Sequence, residues 1–275
     1  MFLTGKIRKV CKLIRELPVK FNLAEQDLVL SLYSGLRDKK TEERIMIDVG
    51  AQFGSSLIKF AKTGWKVYCF EPDDNNRAIL KRNLQKQGLE NVTVDERAVS
   101  NLESKAVYYK SELSSGISSL IKFHSSHKEA KEVEITTLSA FCSKNSISNF
   151  EFLKIDTEGN DLRVIEGLDL KNHRPSVILC EYEDLKTKLV GYTKEDIVKF
   201  LVTNGYRLLI SEWYPVTGYG QHHKWKKITD EIGLVDINSW GNIIAVNPEL
   251  YELFLRIVHR RFRKKNIFLV NPINS

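Results

Sequence analysis

IMIDVGAQFGSS at residues 45–56, followed by KVYCFEP at residues 66–72, decides how this chain folds. An apolar run ends at Asp48, the chain turns at Gly50, and a second glycine, Gly54, falls where a helix is expected to begin. Gly50 lets the backbone approach a ligand closely, and Gly54 removes a side chain where strand and helix pack. The next apolar run ends at Glu71, whose carboxylate can accept both hydroxyls of a ribose, and Pro72 then stops the strand and starts the following helix. Acidic strand end, tight glycine turn and second acidic strand end together predict an adenosine site at the carboxyl ends of two parallel strands.

The glycine spacing narrows the ligand. A dinucleotide site uses G-x-G-x-x-G so that a pyrophosphate lies against the helix N-terminus. Here Ala51-Gln52-Phe53 separates the two glycines and the middle glycine is missing, so a cofactor without phosphate fits better. Asp48 offers a carboxylate to the ammonium of a methionyl group, which points to S-adenosylmethionine; the plainer alternative is a strand-end Asp capping its own turn. The expected cofactor contacts are Asp48, Gly50, Ala51, Gln52, Gly54, Ser55, Glu71 and Pro72. The third strand runs into Asp95-Glu96-Arg97-Ala98, which sets Arg97 and Ala98 beside the base, while Asp95 and Glu96 also suit a solvated loop.

Around this centre, short runs rich in Val, Ile, Tyr and Phe alternate with polar stretches of helical period, the pattern of a parallel sheet with helices on both faces. Strands are expected at 45–49, 66–70, 92–96, 151–155, 176–181, 206–212 and 242–246, and seven is the count a class I methyltransferase Rossmann-like sheet needs. Helices fill 54–63, 73–87, 137–144, 159–168 and 193–204. Thr193 and Asp196 form a capping pair, and Gly64, Gly88 and Gly205 stand as left-handed stops. KAVYYK and EVEITTL, joined by a Ser-rich stretch with His124 and His127, form an inserted hairpin. The chain divides into a basic helical extension at 1–43, the α/β domain at 44–248 and a basic segment at 249–275.

A formal charge of +7 favours anionic partners, and most of the excess lies at the two ends. Leu3, Ile7, Val10, Ile14 and Leu17 share one helical face, with Lys6, Arg8, Lys9, Lys12 and Arg15 between them; Arg256, Arg260, Arg261, Arg263, Lys264 and Lys265 repeat the theme. Both ends read either as surface helices packed on the domain or as peripheral contacts with an anionic membrane. No apolar run is long enough to span a bilayer, and the four cysteines are widely spaced without a CxxC pair, so a cytoplasmic protein with reduced cysteines is expected.

The motifs resemble the FkbM family of methyltransferases. IDVGAQFG is similar to that family's IDVGANxG, FEP to its second-strand ending, RAVS to its adenine-side segment, and FLKIDTEGNDLRVIEG to its KIDVEGxE stretch. GISSL at 116–120 resembles a Ser-rich family stretch that borders the cofactor pocket. Gln52 departs from the usual Asn, and Asp161 from the usual Glu. The resemblance covers residues 45–182 and implies S-adenosylmethionine-dependent O-methylation of a hydroxyl on a sugar, glycan or natural product.

A neutral hydroxyl is a poor nucleophile, so transfer to it calls for a base or a bound cation. Strand four delivers Asp156 to the cofactor's edge, Glu158 follows two residues on, and Glu181 ends the neighbouring strand. Asp156 and Glu181 form a candidate Mg2+ pair through oxygen, with pairing to Lys154, Arg163 or backbone N–H groups as the alternative. His222, beside His223 in the aromatic segment SEWYPVTGYGQHHKW, is a candidate proton acceptor. A nucleic-acid methyltransferase is disfavoured because KIDTEG stands where [DN]-P-P-[FY] would grip an exocyclic amine. Tyr182 and Lys186 make a Y-x-x-x-K pair of dehydrogenase type, but outside a long helix it reads as coincidence. A cofactor-binding scaffold without catalysis is the remaining alternative.

Overall fold

The computed structural model describes residues 24–36, 43–216, 218 and 223–263. Strands β1 (Ile45–Val49), β2 (Lys66–Phe70) and β3 (Val92–Asp95) pair in parallel, as do β1, β7 (Asn149–Ile155) and β8 (Arg174–Glu183). The remaining large strands are β9 (Arg207–Trp213), β10 (Trp225–Thr229) and β11 (Trp240–Val246). The order is β10-β9-β11-β8-β7-β1-β2-β3, with β11 antiparallel to both β8 and β9. This is the class I methyltransferase arrangement, in which the last core strand inserts between the two before it.

The sheet has eight strands, one more than the sequence suggests. The eighth, β10, pairs antiparallel on the outer side of β9. Its sequence WKKIT looks too charged for a strand, but Lys226 and Lys227 lie 3.0 and 3.2 Å from the carboxylate of Glu212, a fully buried β9 residue.

Apolar cores cover both faces, because parallel strands flanked by helices bury alternate residues on each side. Met46, Val67, Cys69, Phe152 and Val177 face one core; Ile47, Tyr68, Phe70, Leu153 and Ile178 face the other. Helices α1 (Gln26–Gly35), α2 (Ile58–Lys62), α3 (Asp74–Lys86) and α8 (Pro248–Arg263) include residues packed into the first. Helices α4 (Leu138–Lys144), α5 (Asp161–Glu166) and α7 (Lys194–Thr203) serve the second. A single turn, α6 (Asp184–Thr187), follows β8. Leu28, Val29 and Leu32 of α1 pack with Tyr251, Phe254 and Val258 of α8, so these helices share one core with the sheet. The expected N-terminal helix at 3–17 lies outside the described residues.

Local signals account for most helix ends. Asp73 caps α3 by accepting from the N–H groups of Asn75 and Asn76. The capping box of Thr193 and Asp196 is formed, and Gly64, Gly88 and Gly205 are left-handed. The helix after Gly54 is shorter than its pattern suggests: turns occupy the chain up to Leu57, and α2 starts at Ile58. The inserted hairpin is β5 (Ser104–Ser111) with β6 (His127–Thr136), extended to three strands by β4 (Ala98–Val99). Lys110 and Lys131 clip it to the head of α3 through Asp73 and Asp74, at 2.7 and 2.8 Å.

Candidate active site

A cavity of about 460 Å3 opens at the carboxyl edge of the sheet, within the range of small-molecule sites. One wall carries Gly50, Gln52, Glu71, Pro72, Arg97 and Ala98, which the sequence places beside an adenosine. Gly50 is left-handed, and a Cβ there would stand 1.8 Å from the carbonyl oxygen of Asp156. Only glycine lets β1 and β7 end side by side at this point.

The Glu71 carboxylate is fixed on both oxygens. Oε2 accepts from the N–H of Gln52 at 2.8 Å and Oε1 from that of Asp73 at 2.9 Å. Burial pushes its pKa up, and these two bonds pull it back. The Asn76 side chain is a third donor; the carboxylate keeps acceptor capacity beyond these three bonds, and the residue borders the cavity. Arg97 stays on this wall, held by Asp95 through bonds of 3.0 and 2.7 Å.

Four residues expected at the cofactor stand behind this wall. Asp48 is fully buried, accepts from Ser56 Oγ at 2.5 Å and lies 3.4 Å from Lys154 Nζ. Its carboxylate thus faces the sheet interior and does not line the cavity. Ser55 is exposed, because the turn points Ser56 inward instead. Ala51 is buried in the core under the loop. Gly54 packs under α3, where a Cβ would meet Leu80 Cδ1 at 2.6 Å. The last two shape the loop from below.

The same cavity is also lined by Asp156, Glu158, Glu181, Glu183 and Lys186. Glu158 has φ 58°, a left-handed conformation that a side chain resists. The turn is held from several sides. Asp161 accepts from the N–H groups of Thr157 and Gly159, Ser119 Oγ donates to the Glu158 carbonyl at 2.9 Å, and Tyr192 OH donates to the Gly159 carbonyl. KIDTEGND therefore encodes an over-determined turn that aims one carboxylate. GISSL, at Gly116–Leu120, borders the cavity.

Oxygens of Asp156, Glu158 and Glu181 lie within 4.8 Å of one another, a spacing a hard cation could bridge. The protein supplies its own cation instead. Lys186 Nζ bonds Glu158, and lies 2.5 Å from Glu183 and 3.6 Å from Glu181; Lys154 lies 3.3 Å from Asp156. With ammonium groups already inside the cluster, the donor set does not fit Mg2+. Pairing with lysine was the expected alternative, although Lys186 takes the place foreseen for Arg163, which pairs with Glu166.

The charges are unequal. Burial raises Glu158 to about 7 against the pull of Lys186, and raises Glu181 well above the carboxylate range. Burial alone would lower Lys186, but its three carboxylate neighbours hold it well above an ordinary lysine. One ammonium is shared among several carboxylates, so burial prevails at Glu158 and Glu181. Tyr182 of the Y-x-x-x-K pair takes no part: it is buried, with its OH 3.4 Å from Ser239 Oγ. The sequence marks Lys186 only as the second member of that pair.

Trp240 and His223 close the rim, their rings 4.8 Å apart. His222 lies outside the described residues. His127 is buried, with Nε2 2.8 Å from the carbonyl of Ile117, and supports the Ser-rich wall. His124 caps the same turn through Ser126.

Sheet order, glycine turn and carboxylate-lined crevice define a class I methyltransferase. Residues 48–208 match the methyltransferase FkbM domain model, and the chain belongs to that family of S-adenosylmethionine-dependent enzymes. Comparison with curated protein sequences gives no match. Among solved structures, the chain is similar to a precorrin-6y C5,15-methyltransferase from Geobacter metallireducens, at 15% identity, 83% and 92% of the two chains covered and TM-score 0.41. It is also similar to an rRNA methylase from Streptococcus thermophilus (10%, 81% and 93%, 0.42) and to magnesium protoporphyrin IX methyltransferase from Synechocystis with bound S-adenosylmethionine (12%, 81% and 79%, 0.42). These are likenesses at low similarity that say nothing of substrate. Among the described residues, no helix is long and apolar enough to cross a membrane.

Proposed function

We propose that the protein methylates a hydroxyl of a sugar or glycan, with Glu158 as the group that takes the hydroxyl proton. The observation that carries this reading is the held Glu158 turn. A carboxylate in a strained but locked conformation lines the same cavity as Glu71, with a pKa of about 7. A base poised near neutrality is matched to removing a proton from a weakly nucleophilic hydroxyl. Lys186 acts as a positioning residue, fixing the Glu158 carboxylate by its hydrogen bond. Glu71, Gln52, Arg97 and Ala98 would hold S-adenosylmethionine, whose sulfonium supplies an electrophilic methyl group when bound. The cavity and the open acceptor sites of Glu71 suit the adenosine end. The Trp240 and His223 rings at the rim suit a pyranose, which offers an apolar face and a polar edge.

The test is incubation of the full chain with S-adenosylmethionine and a panel of cell-surface glycans and glycolipids, followed by mass spectrometry. Gain of a methyl group on a sugar hydroxyl is expected. Glu158→Gln is expected to lose roughly 100-fold or more in turnover while still binding S-adenosylmethionine in calorimetry. Methyl gain on RNA alone, or full turnover by Glu158→Gln, would overturn the assignment.

A further inference from the structure

We infer that the carboxyl edge of the sheet, where the cavity opens, is a docking face for an anionic lipid bilayer, and that the acceptor is presented from that surface. Two independent features meet on this edge. The first is apolar. Four large, strongly exposed hydrophobic residues stand close in sequence to residues that line the cavity. Leu113 (58% exposed) adjoins Ser114 of the Ser-rich wall. Leu185 (68%) lies on α6 beside Lys186, Leu189 (63%) on the turn that follows, and Ile237 (63%) just before Trp240. Exposed leucines around a mouth mark an interaction site more than a solvated rim.

The second feature is charge, and the fold decides where it falls. Glu25, at the head of α1, accepts from Ser211 Oγ and from Nε1 of Trp213, the last residue of β9. The other end of α1 reaches β7's beginning, where Tyr33 OH donates to the Glu151 carbonyl. Helix α1 therefore starts at the carboxyl edge and runs away from it. Helix α8 runs the opposite way, and Arg261 near its end lies 3.8 Å from Asp27 in the first turn of α1. Arg256, Arg260 and Arg261, all exposed, are thus carried toward the edge that bears the cavity. Lys188, between Leu185 and Leu189, and Lys224, beside His223, are exposed there too.

The sequence on either side is basic as well. Residues 1–23 carry Lys6, Arg8, Lys9, Lys12, Arg15 and Lys20 against one acid, Glu16. Residues 264–275 follow α8 and carry Lys264 and Lys265 with no acid. Apolar side chains beside the mouth, with cations on the same edge, match a bilayer: apolar side chains enter the headgroup boundary and basic groups meet anionic lipid. Seated so, the cavity faces the membrane, and the substrate class it can reach is a sugar on a lipid anchor. That last clause rests on the proposed methyl transfer; the docking does not.

The full chain is tested by co-sedimentation with vesicles of phosphatidylcholine alone and of phosphatidylcholine with phosphatidylglycerol, at low and high salt. Binding to the anionic vesicles at low salt, lost at high salt, is expected. Leu185→Ser/Leu189→Ser and Arg256→Glu/Arg260→Glu should each weaken it roughly tenfold or more, with thermal melting and calorimetric S-adenosylmethionine binding unchanged. No sedimentation with anionic vesicles overturns the inference, as does binding that the leucine pair leaves untouched. Displacement from vesicles by RNA at stoichiometric amounts, or self-association through the leucines without vesicle binding, also overturns it. Glycan methylation in solution with no vesicle binding would leave the proposed function standing and remove only the docking.

Discussion

Gly50→Ala is expected to collapse the cofactor wall and much of the stability with it. The new Cβ would lie 1.8 Å from the Asp156 carbonyl oxygen. Since side-chain carbons do not approach such atoms closer than 3.0 Å, the ends of β1 and β7 must part by at least about 1.2 Å, which stretches a hydrogen bond past its useful range. The bond at risk is Asp156 N–H to the Val49 carbonyl, now 3.0 Å. Holding alanine at φ 85° costs about 1–2 kcal/mol, the lost bond about 1 kcal/mol, and forced separation of packed strands about 1–3 kcal/mol. Together these come to about 3–6 kcal/mol, a large part of the roughly 5–15 kcal/mol that holds a typical domain. For a chain of this size the melting temperature should fall by about 6–24 °C, as followed by circular dichroism. Calorimetry should find no S-adenosylmethionine binding, because the loop that presents Gln52 to Glu71 moves with Gly50. Gly35→Ala is the control, since a Cβ there meets nothing within 4 Å. A Gly50→Ala protein that melts within about 2 °C of the parent and binds the cofactor normally would refute the loop geometry.

Lys186→Met strips the cation from Glu158, Glu181 and Glu183; the loss should be about 3–5 kcal/mol at neutral pH. The sign with pH is definite. Carboxyls with pKa raised in the fold bind protons that the unfolded chain has released, so this variant should lose stability as pH rises above about 4.5 and regain it toward about 5 from neutrality; equal losses in urea titrations at both pH values would contradict the cluster. Asp48→Asn leaves Lys154 facing Asp156 alone and should cost about 3 kcal/mol in denaturant unfolding, whereas unchanged stability with weakened S-adenosylmethionine affinity would put that carboxylate on the cofactor's ammonium after all. If Glu158 takes the proton, turnover should climb with pH and level off above about 7, as a pH–rate profile would show; a flat profile would remove it as the base. Exhaustive chelation should leave the rate unchanged, because Lys186 already stands among the carboxylates, and a rate restored by added Mg2+ would reverse that conclusion.

The parallel core was legible because its signals are local. Alternation of apolar runs, the Gly50 turn and the acidic ends at Asp48 and Glu71 all lie within a few residues of what they determine. The capping pair at Thr193 and the left-handed glycines belong to the same class. What escaped depends on partners far along the chain. β10 reads as a loop until Glu212 is seen beside Lys226 and Lys227. Lys186 was read by its spacing from Tyr182, yet its role comes from Glu158, 28 residues earlier. Ser55 and Ser56 differ only in which way the turn points them, a choice made by the distance between Gly54 and the start of α2. Asp48 ends its strand as the motif indicates, but its contacts with Ser56 and Lys154 follow from packing that no periodicity reveals.

The place of β11 has a consequence for how the chain is made. β8 and β9 are neighbours in sequence order but not in space: β11 lies between them and pairs with both. During synthesis β9 emerges with no inner partner, and its slot beside β8 stays open until residues 240–246 arrive. Trp240, the first residue of that strand, also finishes the cavity rim. The rim therefore stays incomplete until nearly the whole polypeptide has been made. A chain cut before Trp240 would lack the middle of its sheet, not its edge.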